Sequence, residues 1–145
     1  MYMCALLMRE PLPDEARLQD ICVSKKHDLG SVRGFVRAVE ATLSIREGGV
    51  LWLGVPCSTF VWMSRSTYRR TAASPFGRLS NKTVVEANML LLRSILLGLL
   101  ATTRRVYICF EQPLSSTLRH IPHMNLLSGA CGAQWSHIST CRISI

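Results

Sequence analysis

Several common sequence patterns are missing from this chain. Its six cysteines contain no C-x-x-C pair and no regular spacing, so the sequence indicates neither a disulfide framework nor a cysteine-based zinc motif. The chain does not open with a charged region followed by an apolar stretch and a small-residue cleavage site. Together these absences predict a reduced, intracellular protein, whether nuclear or cytoplasmic.

Long apolar runs are also missing. The longest covers residues 89–103, contains Arg93 and falls short of the roughly 20 residues that span a bilayer. We therefore expect a buried helix there, and we expect no membrane partner. The sequence shows no internal repeat and no low-complexity tract.

Acidic residues are scarce, since 9 Asp and Glu stand against 17 Lys and Arg, and the formal charge is +8. Segment 61–82 has no acidic residue at all, and it carries the cations Arg65, Arg69, Arg70, Arg78 and Lys82. A charge run of this kind is usually a solvated surface loop. Because it directly follows Pro56-Cys57-Ser58 and contains several Ser and Thr, it also suits phosphate oxygens. We interpret it as a mobile active-site loop whose cations contact nucleic acid.

Two short apolar runs predict neighbouring parallel strands. Residues 50–55 follow Gly48-Gly49 and stop at Pro56, which cannot donate a hydrogen bond to a strand ladder. Residues 106–110 repeat the pattern and lead into Glu111-Gln112-Pro113. Because ligands of open α/β sheets bind beyond the carboxyl ends of the strands, a thiol and a carboxyl are expected together at one edge.

The helices expected around these strands complete the fold prediction. Ser31 is placed to cap an amphipathic helix that ends near Gly48-Gly49, and Asn81 is placed to cap the long apolar helix. The resulting order predicts an α/β protein, a partial Rossmann-like parallel sheet with flanking helices. We divide the chain into a poorly defined N-terminal segment (1–27), an α/β core (28–124) and a C-terminal strand or hairpin (125–145).

Cys57 and Glu111 are the candidate chemical groups. An ordinary free cysteine packs as a small hydrophobic side chain, but Cys57 follows a proline at a strand end and precedes Ser58 and Thr59. Glu111 closes an apolar strand, where a carboxylate needs either a function or a salt bridge to offset its desolvation.

The order of these two loops resembles a known family. Gly54-Val55-Pro56-Cys57-Ser58 and Phe110-Glu111-Gln112-Pro113 resemble the proline-cysteine and glutamate-asparagine loops of the cytosine-C5 DNA methyltransferases, which have the class I S-adenosylmethionine-dependent fold. The resemblance covers about residues 28–116. It implies that Cys57 is the nucleophile that attacks C6 of cytosine and that Glu111 is the acid at N3.

The same resemblance implies further residues and a cofactor. The substrate-binding residues would be Pro56, Ser58, Thr59, Gln112 and Pro113, the partner would be DNA, and the methyl donor would be S-adenosylmethionine. The sequence departs from the family at Val55, where proline is usual, and at Gln112, where asparagine is usual. No glycine-rich donor loop precedes Asp28. We therefore expect an incomplete methyltransferase that does not methylate DNA alone and that self-associates or recruits a partner at its open sheet edge.

Other chemistries fit less well. A cysteine phosphatase needs arginine six residues after its cysteine, and that position is Met63. A Cys-His hydrolase would have to recruit His120 or His123, which nothing places near Cys57. The same two histidines supply too few ligands for zinc, so we expect no metal. Two functions remain, a methyltransferase-like enzyme and an inactive remnant that serves as a basic nucleic-acid or protein interaction module.

Overall fold

The structure, a computed structural model, describes residues 2–7 and 28–139. These residues form strands and helices in the following order: β1 (Tyr2–Leu7), α1 (Val32–Ser44), β2 (Val50–Leu53), α2 (Arg65–Tyr68), α3 (Lys82–Thr103), β3 (Tyr107–Pro113), α4 (Pro122–Cys131) and β4 (Gln134–Ser139). Single 3-10 turns, Trp62–Ser64 and Thr117–His120, precede α2 and α4. Residues 1, 8–27 and 140–145 lie outside the described part of the chain.

The strands form one mixed sheet in the order β2-β3-β1-β4. β2 and β3 are parallel neighbours, with Val50 opposite Tyr107 and Leu53 opposite Phe110, and α3 connects them. This confirms the predicted strand-helix-strand unit. The rest of the sheet is not parallel, because β1 lies between β3 and β4 and is antiparallel to both. The chain therefore has a mixed α/β fold with one parallel pair of adjacent strands.

Local signals determine where the two main helices begin. The Ser31 side chain accepts a hydrogen bond from the Gly34 amide (2.9 Å), and Asn81 accepts from the Thr83 amide (3.0 Å). Both residues were predicted as caps, since a short polar side chain satisfies an amide that the first helical turn leaves free. α1 ends at Ser44, before the Gly48 turn, where a positive φ of 75° suits glycine.

α3 is the central helix of the core. It is long and apolar enough to cross a bilayer by length and composition, but half of its most apolar window is buried within the fold. Its Gly98 lies where an added Cβ would be 3.1 Å from Leu127 of α4 and 3.7 Å from Phe110 of β3. The expected buried helix is thus the element on which β3 and α4 meet.

Arg93 of α3 is half-buried and is held by backbone carbonyls of the chain that leads into α1. Its guanidinium donates to the carbonyls of Leu29 (2.5 Å) and Ser31 (3.1 Å), and it lies 5.2 Å from the ring centroid of Phe35. The arginine therefore attaches the start of α1 to α3.

The core occupies one face of the sheet. Leu51, Ile108 and Phe110 share a buried cluster with side chains of α3 and α4. Strand alternation places Trp52 and Glu111 on the opposite side, here called the outer face. Trp52 is half-exposed there, so among the described residues the helices cover one face of this part of the sheet.

The sheet contains strands from all three of the expected segments. β1, from segment 1–27, and β4, from segment 125–145, both belong to the same sheet as the core strands. α4 crosses the expected boundary at residue 124. Long-range strand pairing, which local sequence does not show, joins the three segments.

Candidate functional site

The candidate site lies at the carboxyl ends of β2 and β3. Because these strands are parallel neighbours, the chain leaves both at the same edge of the sheet. The loop that carries Cys57 follows β2 directly, whereas Glu111 is still within β3, one residue beyond its last pair with β2. The positions of Cys57 and Glu111 in the chain therefore lie at the same end of the sheet.

Cys57 begins a tight turn. Its carbonyl accepts hydrogen bonds from the amides of Phe60 (2.8 Å) and Val61 (3.2 Å), and the Phe60 side chain is fully buried. The thiol is half-buried and free, while Pro56 and Ser58 on either side are exposed. An anchored turn with a partly accessible thiol can present Cys57 to a ligand.

Glu111 lies on the outer face beside Trp52. The Trp52 Nε1 donates to Glu111 Oε2 at 3.2 Å. No ion pair among the described residues involves Glu111, so the salt bridge that would be its ordinary explanation is not formed there. An indole donor orients the carboxylate without adding a neutralising charge.

Gln112 connects the two loops. Its Nε2 donates to the Val55 carbonyl (2.6 Å), and its Oε1 accepts from the Ser116 hydroxyl (3.1 Å). A second link follows, because both the amide and the hydroxyl of Thr117 donate to the Phe60 carbonyl. The structure therefore fixes the Cys57 turn against the chain that follows Glu111.

Two of the five residues expected to bind substrate are buried. Gln112 and Thr59 have 1% and 2% of their surface exposed, and their polar atoms bond to the protein. Both act in the structure as supports of the site rather than as groups that reach a ligand. Pro56 and Ser58 are exposed, and Pro113 is half-buried at the end of β3.

Arg70 does not belong to the phosphate-contact set in which it was placed. Its side chain is fully buried and lies 3.9 Å from the ring centroid of Phe60. The guanidinium donates to Asn88 Oδ1 (2.8 Å), to the Pro75 carbonyl (2.8 Å) and to the Thr59 hydroxyl (3.1 Å). Burial lowers the pKa of Arg70 to about 10. The sequence does not indicate this role, because nothing in the basic segment distinguishes a buried arginine from its exposed neighbours.

The network around Arg70 also corrects the expectation of a mobile loop. Arg70 joins the Cys57 turn, through Thr59 and Phe60, to α3, through Asn88. The side-chain amide of Asn88 donates to the Phe76 carbonyl at 2.9 Å, and the backbone amide of Arg78 donates to the Tyr68 carbonyl at 2.8 Å. The basic segment is therefore attached at several points to the core.

The other cations of this segment remain available at the surface. Arg69, Arg78 and Lys82 are exposed, and Arg65 is half-buried. Arg78 Nε donates to the Ser80 hydroxyl (2.9 Å), and Lys82 lies 3.7 Å from Glu86, an exposed pair of the kind that contributes little to stability. These side chains are the set that can still contact phosphate.

The structure does not assemble a metal or Cys-His site from the described residues. His120 and His123 are both exposed, and the His123 ring packs against Phe76 with their centroids 5.7 Å apart. No group of three or more His, Cys, Asp or Glu side chains is close enough to hold a metal among the residues that the structure describes.

A cleft beside the site was not found from the sequence. It has a volume of about 560 Å³ and lies between α1, the edge of β2 that faces away from β3, and α3. Its walls are mostly apolar, and its charged lining residues are Asp28 and Arg37. The end of β2, from Leu53 to Pro56, forms its floor next to the Cys57 turn. Only the packing of α1 beside α3 creates this space.

Searches of protein families, of curated proteins and of solved structures find no match to this chain. The geometry of the site is therefore the structural basis of the proposed function.

Proposed function

We propose that this protein binds nucleic acid and carries a cytosine-C5 methyltransferase-like site, with Cys57 as nucleophile and Glu111 as acid. The observation that supports the proposal is the delivery of both groups to the same sheet edge by adjacent parallel strands. The hydrogen bonds of Gln112 and Thr117 hold the two loops together there. The exposed cations of segment 61–82 follow directly after Cys57.

The proposed chemistry assigns one task to each group. The Cys57 sulfur, after losing its proton, bonds to C6 of a cytosine; the C5–C6 double bond breaks, and Glu111 acts as the acid at N3. After C5 receives its methyl group, the C5 proton is lost to water, the C5–C6 double bond re-forms, and the bond between Cys57 and C6 breaks. A base in a duplex must leave the stack before either group can reach it. Trp52 holds the Glu111 carboxyl through one oxygen, so the other oxygen is the one we assign to the base.

The cleft between α1, β2 and α3 suits the methyl donor that the proposed reaction requires. Its volume falls in the range of sites for small ligands, and its walls combine apolar surface with one carboxylate and one guanidinium. Asp28 and Arg37 would hold the ammonium and carboxylate ends of S-adenosylmethionine. When bound, the donor supplies the methyl group for C5.

A second function is favoured by a separate observation. Arg69, Arg78 and Lys82 are exposed, and Arg70 attaches the segment that carries Arg69 and Arg78 to the core without any contribution from the Cys57 thiol or Glu111. The chain would then be a basic nucleic-acid-binding module that has kept the fold without catalysis.

Two measurements on the purified chain separate these functions. The sequence, which has no glycine-rich donor loop before Asp28, predicted a chain that does not methylate DNA alone. The cleft offers another place for the donor, so we now expect saturable binding of S-adenosylmethionine by calorimetry and transfer of a labelled methyl group to cytosine-containing DNA, with transfer abolished in Cys57→Ala. Cys131→Ala, which removes another half-buried thiol, is the matched control and should leave transfer unchanged. DNA binding without donor binding or transfer would contradict the enzyme and support the module, and absence of DNA binding would contradict both.

A further inference from the structure

An exposed tryptophan projects from the basic segment directly after the Cys57 turn. Trp62 has 65% of its surface exposed, and the neighbouring Met63 has 91%. Large apolar side chains so exposed lose the stability that burial would give them. Their position, next to the candidate site and within a segment free of acidic residues from 48 to 85, points to a ligand of particular chemistry.

The Trp62 ring has a fixed partner on one side. The Arg65 guanidinium lies 4.0 Å from its centroid, within the range of a cation-π contact. Arg65 is itself held, because its Nε donates to the carbonyl of Arg70, the residue that attaches this segment to the core. We call this pair the Trp62 platform. With one face of the ring covered by Arg65 and most of its surface exposed, the other face is accessible from solvent.

We propose that the Trp62 platform stacks on an unpaired base of single-stranded nucleic acid. Proteins that bind single strands combine aromatic rings, on which bases stack, with cations that follow the phosphates. The platform supplies the ring, and Arg65 and Arg69 supply cations within the same short stretch. The absence of acidic side chains from 48 to 85 makes a polyanion the matching partner.

This inference rests on the proposed nucleic-acid binding and adds the state of the strand. A duplex hides its base faces, so the platform can stack only on a strand that is single, frayed or locally open. The protein should therefore prefer a single strand over the duplex of the same sequence. Stacking at Trp62 would also keep such a strand near Cys57, since the 3-10 turn that starts at Trp62 directly follows the Cys57 turn, which closes at Val61.

The test compares three probes of equal length: an oligothymidylate, an abasic strand with the same number of phosphates, and a duplex. We expect the full chain to bind the oligothymidylate about tenfold more tightly than the abasic strand. Trp62→Leu should remove that difference, whereas Trp62→Phe should keep most of it. The salt dependence should be the same in all these variants, because stacking releases no counterions.

Leu79→Ala is the matched control, since Leu79 is another apolar side chain exposed in the basic segment. It should change no affinity, and the thermal unfolding of Trp62→Leu should match the parent protein. Equal affinities for the abasic and base-bearing strands, or an unchanged affinity in Trp62→Leu, would overturn the platform while leaving phosphate binding in place. Failure of every probe to bind would instead contradict the proposed nucleic-acid function, and the platform with it.

Discussion

Arg70 has a different role in the fold from the one that its place in the sequence predicts. In sequence it is one of several cations in a segment suited to phosphate, but in the fold it is a fully buried charge with only neutral acceptors. Its Nε finds no hydrogen-bond partner among the residues that the structure describes. The cost of burying this group is offset by three hydrogen bonds and by the ring of Phe60.

Loss of Arg70 should therefore unfold the region around the site. We expect Arg70→Ala to lower the free energy of unfolding by roughly 3–5 kcal/mol, because it leaves a cavity and several acceptors without a donor. Arg70→Lys should be intermediate, since an ammonium cannot reproduce the fork of a guanidinium. Urea unfolding measures both. Arg119→Ala, at an exposed arginine, should stay within about 0.5 kcal/mol of the parent, and equal effects at the two positions would contradict the role assigned to Arg70.

Cys109 gives stability a dependence on alkaline pH. Burial, with a smaller contribution from the Glu111 charge, raises the pKa of this thiol from 9.0 to about 11. The folded state then keeps a proton that the unfolded state releases, so stability should fall as pH rises through this window, by up to about 2 kcal/mol. Burial lowers the pKa of Arg70 to about 10, so above that pH the unfolded state keeps a proton that the folded state has lost, and this effect raises stability as pH rises. Unfolding is therefore best compared below pH 10.

The expected result is a smaller alkaline loss of stability in Cys109→Ala than in the parent protein. The loss of stability at alkaline pH is also measured in Cys131→Ala, because burial raises the pKa of the half-buried Cys131 thiol as well. Parallel stability curves for Cys109→Ala and the parent between neutral pH and about 10 would show that Cys109 does not titrate differently in the folded state.

At the scale of elements, two helical glycines have opposite surroundings. An added Cβ at Gly34 of α1 would lie 1.9 Å from the Asp28 carbonyl oxygen, which is backbone and cannot easily move. At Gly129 of α4 the same atom would meet nothing within 4 Å. The close approach at Gly34 brings the turn at Asp28 against the first turn of α1, beside the cleft.

We therefore expect Gly34→Ala to destabilise the protein and to weaken the binding of any ligand in the cleft. Gly129→Ala should instead raise the free energy of unfolding by about 0.5–1 kcal/mol, because alanine has the better helix propensity. Thermal unfolding of the two variants side by side is the measurement. Stabilisation by both would mean that the Asp28 turn can move away from α1 at little cost.

The helices and the parallel strand pair could be predicted because their signals are local. Ser31 and Asn81 each act on an amide two or three residues away, and the apolar runs of β2 and β3 identify two strands without knowledge of the sheet. The roles of Gln112 and Arg70 could not be predicted in this way. Their partners include Val55 and Asn88, which lie 57 and 18 residues away in sequence.

At the scale of the whole molecule, the sheet has an exposed edge at β2. That strand pairs only with β3 among the described strands, and Trp52 is half-exposed on its outer face. An unpaired edge beside exposed aromatic surface favours association with another chain. We expect the protein to self-associate through this edge.

Analytical ultracentrifugation over a range of concentrations tests that expectation. Trp52→Lys places a charge at the edge and should shift the protein toward monomer, since lysine on an edge strand opposes pairing. Leu126→Ala, at an exposed leucine of α4 away from this edge, should leave the distribution unchanged. A parent protein that stays monomeric at high concentration would exclude self-association through β2.

The sequence by itself determined the basic character of the chain, the caps of α1 and α3, and the presence of a thiol and a carboxyl after two apolar strands. These features depend on composition or on residues close together in the chain. Only the tertiary structure decided that β1 lies antiparallel between β3 and β4, that Arg70 is buried while Trp62 is exposed, and that α1 and α3 enclose a cleft beside β2. Strand order, burial and cavities arise from contacts between distant segments, and a side chain's neighbours along the chain do not specify them.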